Sequence, residues 1–199
     1  MAPLVRGLEL LECAVRYGLA GTDLVTPQLL ARPTPCRGWN LEMLLYHVSD
    51  SIETLNEAID TGHIELGSAE GGGAREADPV GTLSCRAARL LGVCSAAGAD
   101  DRRVAIGERE LTQSKVAAAG AIEVTIHGWD IWSACGIYRQ IPPILAAVLL
   151  PIAPLLIPPG TRPGLFADPI QLPGTAVPAE QLVAYLGRQP RWTAAPSTA

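Results

Sequence analysis

Histidine is scarce in this 199-residue chain, with three in all, so the surroundings of each one carry weight. His127 follows Glu123 by four residues in IEVTIHGWD, the spacing that puts two side chains on one face of a helix. His47 stands in LLYHVSD, inside a second helical segment and flanked by apolar residues. If the two segments are neighbours, two imidazoles and one carboxylate meet in the core. That set gives a metal three protein ligands and at least one open position, as in catalytic zinc sites; no fourth ligand stands out. The same donors accept nickel, iron or manganese, so ligand type alone does not choose the metal. The pattern also has plainer readings: E-x-x-x-H fits a surface pair, and a buried histidine fits a hydrogen-bonded core. His63, in a polar stretch, reads as solvated.

Other side chains could assist. Asp130, three residues after His127, is placed to orient a ligand imidazole from outside the metal's own shell, or to pair locally with an arginine. Trp39 and Trp129 suit either a pocket wall or simple core. Cys36 lies in a turn before the second helix, which predicts a structural role away from the metal end. Arg102 and Arg103 could meet an anion but fit a solvated loop equally. Arg188, in LGRQPRW, is expected to pin the tail.

The elements that must position these residues follow from apolar spacing. Leu4, Leu8, Leu11, Val15 and Leu19 predict a helix from Leu4 to about Leu24. The proline-rich corner ARPTPCRGW interrupts it, and a second helix is predicted from Trp39 to about Ile59. TGHIELGSAEGGGAREADPVG is the longest irregular stretch, of a length typical of lids and binding loops. A third helix is predicted over 82–97, AGADDRRVAIGERE as another loop, and a fourth helix over 111–135, stopped by Gly136. A short helix is expected near 180–186. Four long helices joined by unequal connections predict an all-α bundle.

Composition narrows the classes. With 48% apolar and 18% charged residues the chain can bury a core, and extended disorder is excluded. A net charge of −5 argues against nucleic-acid partners. The cysteines, Cys13, Cys36, Cys85, Cys94 and Cys135, are odd in number and form no C-x-x-C pair. No signal-peptide pattern opens the chain, so reduced thiols in a cytoplasmic protein are expected. The run from Ile141 to Pro159 is long enough to span a bilayer, but its six prolines remove backbone donors that lipid cannot replace. It is expected to form a short buried helix after Pro143, broken near Pro151, in a protein with no membrane partner.

Three blocks carry a family resemblance. PTPCRGWNLEMLLYHV resembles the opening signature of the mycothiol-dependent maleylpyruvate isomerase N-terminal domain family, a branch of the DinB-like metal-binding bundles. IEVTIHGWDIWSACG is similar to its second signature, and LVAYLGRQPRW to the ending of one actinobacterial subgroup. The resemblance implies an up-and-down four-helix bundle over residues 1–140 and a proline-rich C-terminal extension over 141–199. It implies that His47, Glu123 and His127 are the metal triad through which catalysis runs, with zinc the usual metal and mycothiol a common cosubstrate.

The chemistry fits that implication. A thiol bound at an open position of zinc is stabilised as the thiolate, the nucleophilic form. Addition to a small electrophile gives S-transfer if the adduct is kept, and cis–trans isomerisation if it rotates and expels the thiol. Two other readings stand beside this one. In the first, a thiol-independent metalloenzyme of secondary metabolism acts as a cyclase, isomerase or hydrolase. In the second, a non-catalytic metal-stabilised bundle binds a small molecule or partner. A homodimer is compatible with all three.

Overall fold

The computed structural model describes residues 3–64, 77–97, 101–158, 160, 162 and 166–194. Its elements in chain order are α1 (Pro3–Thr22), α2 (Leu41–Thr61), β1 (His63–Ile64), α3 (Pro79–Ala96), β2 (Arg103–Ile106), β3 (Arg109–Thr112), α4 (Gln113–Ala134), α5 (Pro143–Leu156) and α6 (Pro178–Tyr185). The chain is mostly helical. α1 packs on α4 and α3, α2 packs on α3 and α4, and α5 bridges α4 and α6.

Local chemistry sets the helix ends. The Asn40 side chain accepts a hydrogen bond from the Met43 N–H and so caps α2. Gly62, at φ +75°, closes the other end with its N–H on the Ala58 carbonyl. Asp78 caps α3 on the Gly81 N–H, with Pro79 as the first helical residue. α4 is apolar nearly all round, the pattern of a central helix, and is buried almost continuously from Val116 to Ile131. Gly128 lets α1 approach closely: a Cβ there would lie 2.8 Å from the Gly18 Cα. The Trp132 indole N–H donates to the Tyr17 carbonyl, fixing the same pair of helices further along.

Two expectations are corrected. The stretch read as a loop over 97–110 contains an antiparallel hairpin, β2 with β3, and β1 adds to it in parallel. Four-residue strands are too short to show alternation. They form because Val104 buries itself in the core and Gly107, at φ +56°, makes the tight turn. His63 consequently sits exposed in β1, opposite Ala105. Most of the glycine-rich stretch that follows lies outside the described residues.

The second correction concerns α5, which runs through Pro151 and Pro154 without a break. Both prolines are on its solvent side, where water can serve the carbonyls they leave without a donor. Only one face is buried, through Leu145, Ala146, Leu149 and Ala153; Ile144 and Leu155 are 82% and 79% exposed. Among the described residues no helix is long and apolar enough to cross a membrane.

Candidate metal centre

The corner before α2 is tied down by its own backbone. The Thr34 N–H donates to the Trp39 carbonyl, the Leu41 N–H to the Arg32 carbonyl, and the Cys36 N–H to Thr34 Oγ1. This fixes Cys36 and Trp39 at the head of α2, two turns before His47. α2 and α4 are in contact, so His47 faces Glu123.

The three sequence-predicted ligands converge. His47 Nε2 lies 2.8 Å from Glu123 Oε1, and His127 Nε2 lies 3.2 Å from the same oxygen. The imidazole rings meet edge to face, 4.9 Å between centroids at 80°. All three ligating atoms fall within 4.8 Å of one another. The side chains are 36%, 26% and 6% exposed for His47, Glu123 and His127, so the group opens on the α2 side. Tetrahedral zinc with bonds of about 2.1 Å holds its ligand atoms about 3.4 Å apart. The Glu123 oxygen would have to draw back from the two ring nitrogens by about 0.6 Å and about 0.2 Å, and the donor types and their convergence fit a divalent cation.

Electrostatics within the group are strong. Burial pushes the Glu123 carboxyl up, but the hydrogen bonds from His127 and His47 outweigh it and hold the group well below the usual carboxylate range. Burial opposes charge on His127 as well. Its hydrogen bonds to Asp130, Cys36 and Glu123 prevail and raise its pKa well above the ordinary value.

Behind His127 stands a second layer. Asp130 is wholly buried, and its Oδ2 lies 3.0 Å from His127 Nδ1. A carboxylate can only accept, so Nδ1 carries a hydrogen and Nε2 is the atom turned toward Glu123. The same oxygen accepts from the Cys36 thiol at 3.1 Å and from Arg188 Nη2 at 3.1 Å. Burial raises the Asp130 pKa; the Arg188 charge, then the His127 hydrogen bond, reverse the sign and keep the carboxyl ionised.

Cys36 is thus at the centre rather than remote from it, a correction to its expected place. Arg188 does pin the tail, through its bonds to Asp130 on α4 and to Cys36 before α2, while its Nη1 donates locally to the Leu186 carbonyl. Trp39 meets the His47 ring edge to face, 4.7 Å between centroids, and lines the cavity. Trp129 is core, and Arg102 is spent on the Ile59 carbonyl; neither reaches the site.

The triad opens into a cavity of about 770 Å³. Pro35, Arg37 and Trp39 form one side, and the tail residues Phe166, Ala167 and Gly187 form the other. The guanidinium carbons of Arg162 and Arg188 each stand 5.9 Å from the centroid of the Phe166 ring. Sequence reasoning missed this wall. No periodicity links residue 166 to residue 47, and only the family-like ending hinted that the tail matters.

The profile of the mycothiol maleylpyruvate isomerase N-terminal domain family matches residues 11–132. The chain belongs to this family. Two uncharacterized proteins, from two strains of Mycobacterium tuberculosis, are each 29% identical to it over 164 residues, covering 81% of this chain and 86% of theirs. No solved structure matches the chain. The matched span contains Cys36, His47, Glu123, His127 and Asp130, and ends before the wall formed by Phe166 and Arg188.

Proposed function

We propose that this member of the family is a metal-dependent thiol transferase or isomerase that turns mycothiol on a small electrophile. His47, Glu123 and His127 are its metal ligands, and zinc is the metal we favour. The observation that carries the reading is the convergence of three ligating atoms within 4.8 Å at a cavity of about 770 Å³. That volume suits a small organic molecule.

A divalent cation in this position supplies Lewis acidity that keeps a thiol sulfur deprotonated at neutral pH. The chain's own residues do the rest. His47 and His127 present Nε2, and Glu123 contributes the single negative charge. Asp130 holds the Nδ1 hydrogen of His127 and so fixes the ring. Trp39 shields one edge of His47 from water. The electrophile enters on the exposed side, between Trp39 and Phe166. Retaining the new carbon–sulfur bond gives transfer; reversing it after rotation gives isomerisation.

The wider reading is of a family-type up-and-down four-helix bundle over residues 1–140, extended by 141–199. It works in the cytoplasm on small molecules, with no nucleic-acid or membrane partner, alone or as a homodimer. The test is metal analysis of the purified protein, followed by cobalt substitution. Mycothiol should perturb the cobalt spectrum, and turnover of an activated alkene or epoxide should stop without thiol. Metal content unchanged in His47→Ala would overturn the ligand assignment. Thiol-independent turnover that a chelator abolishes would overturn the thiol.

A further inference from the structure

A second group of potential ligands lies behind the first: Cys36, His127 and Asp130, whose ligating atoms also fall within 4.8 Å of one another. Thiol, imidazole and carboxylate together suit a transition-metal cation. A cation is already there. Arg188 places Nη2 at 2.9 Å from Cys36 Sγ and 3.1 Å from Asp130 Oδ2, and Nε at 3.5 Å from Asp130 Oδ1. We infer that Arg188 is a positioning residue for His127: its guanidinium fills the Cys36–His127–Asp130 group in place of a second metal and fixes the carboxylate that orients the ring.

Every nitrogen of the guanidinium is engaged. Nη1 is bound to the Leu186 carbonyl, and the residue is 7% exposed. Two of its nitrogens face one carboxylate, so Asp130 is held in a fixed plane. In that plane one oxygen meets His127 Nδ1 at 3.0 Å, and the opposite ring nitrogen is aimed at Glu123 Oε1. An imidazole's outer hydrogen-bond partner decides both its ring angle and which nitrogen stays free for a metal. Lysine would bring the charge but not the planar fork.

The tail that delivers Arg188 is itself fixed. Arg162 donates to the carbonyls of Ala167 and Tyr185. Gly187 has φ +82°, and a Cβ there would come within 2.7 Å of the Ala167 carbonyl oxygen, so the chain passes where only glycine fits. Arg188 follows Asp130 by 58 residues and lies outside the span the family profile matches. A residue of the extension therefore acts on a ligand of the bundle.

The inference rests on the proposed ligand set for its effect on metal binding, but not for its effect on the ring. The test uses the full chain with Arg188→Met, which keeps an apolar stem and removes charge and donors, and Arg188→Lys. Thermal melting establishes that each variant folds. Nitrogen chemical shifts of the His127 ring are read in metal-free protein, and zinc affinity and stoichiometry by chelator competition. For Arg188→Met we expect altered ring shifts, zinc affinity lower by about 10–100-fold, and a second bound equivalent that Cys36→Ser in the same background abolishes. For Arg188→Lys we expect one equivalent, bound several-fold more weakly than by the wild type.

A folded Arg188→Met with wild-type ring shifts, affinity and stoichiometry overturns the inference. If that variant does not fold, wild-type ring shifts and affinity in Arg188→Lys overturn it. Wild-type protein that binds no zinc sinks the ligand reading instead, and the ring shifts still decide the role of Arg188.

Discussion

With His127 as a metal ligand, as proposed, a metal and a proton compete for its Nε2. Burial disfavours the charged ring, yet the hydrogen bonds to Asp130, Cys36 and Glu123 hold its pKa well above the ordinary 6.5. The sign follows from linkage. A group whose folded pKa is raised stabilises the metal-free fold fully below its unfolded value, and that contribution is lost as pH rises through the folded value. Zinc uptake on the proposed ligand set should therefore release a proton from His127, and affinity should climb as pH rises toward that raised value. Calorimetry in two buffers of different ionisation enthalpy measures the release; no release at pH 7 would show the ring already neutral. Glu123→Gln should keep the shape of the group and remove its only anionic ligand. Zinc affinity should fall by more than the roughly 10–100-fold usual for outer residues, read by chelator competition. The Glu123–His127 pairing was legible because four-residue spacing on a helix maps directly onto one face, whereas the place of His47 beside it depended on α2 and α4 being neighbours, which spacing alone does not give. Cys36 and Arg188 were not, since 152 residues separate them and only the folded tail brings them together.

At the level of elements, the site depends on how tightly α1 and α4 are joined. Gly128→Ala would set a Cβ 2.8 Å from the Gly18 Cα, a backbone atom that cannot rotate aside. Helix propensity returns about 1 kcal/mol, while forced separation of packed helices costs about 1–3 kcal/mol. A lower urea midpoint is expected, with weaker zinc binding because His127 is the adjacent residue; an unchanged midpoint would mean that α1 retreats freely. Asn40→Ala should cost about 1 kcal/mol by removing the α2 cap, seen as a lower melting temperature. All four long helices were legible from apolar repeats, since a buried stripe must recur every three or four residues. The β2–β3 hairpin was not, because four-residue strands are held by tertiary burial of Val104 rather than by any repeat. Nor was the continuity of α5, whose prolines are tolerated because of the side they face.

Over the whole molecule, the proposed ligands come from helices, and tail residues line the same cavity. Phe166→Ala should therefore leave zinc content intact while raising the KM for the electrophile more than it lowers kcat, the signature of lost binding surface. Steady-state kinetics on metal-replete protein checks this, and an unchanged KM would remove Phe166 from the contact surface. The division between helices and tail also sets an order on synthesis. A chain emerging from the ribosome folds from its N-terminal side, so residues 47, 123 and 127 are all available well before residue 188 has been made. On the proposed ligand set an ion can reach these donors before the guanidinium docks on Asp130 behind His127.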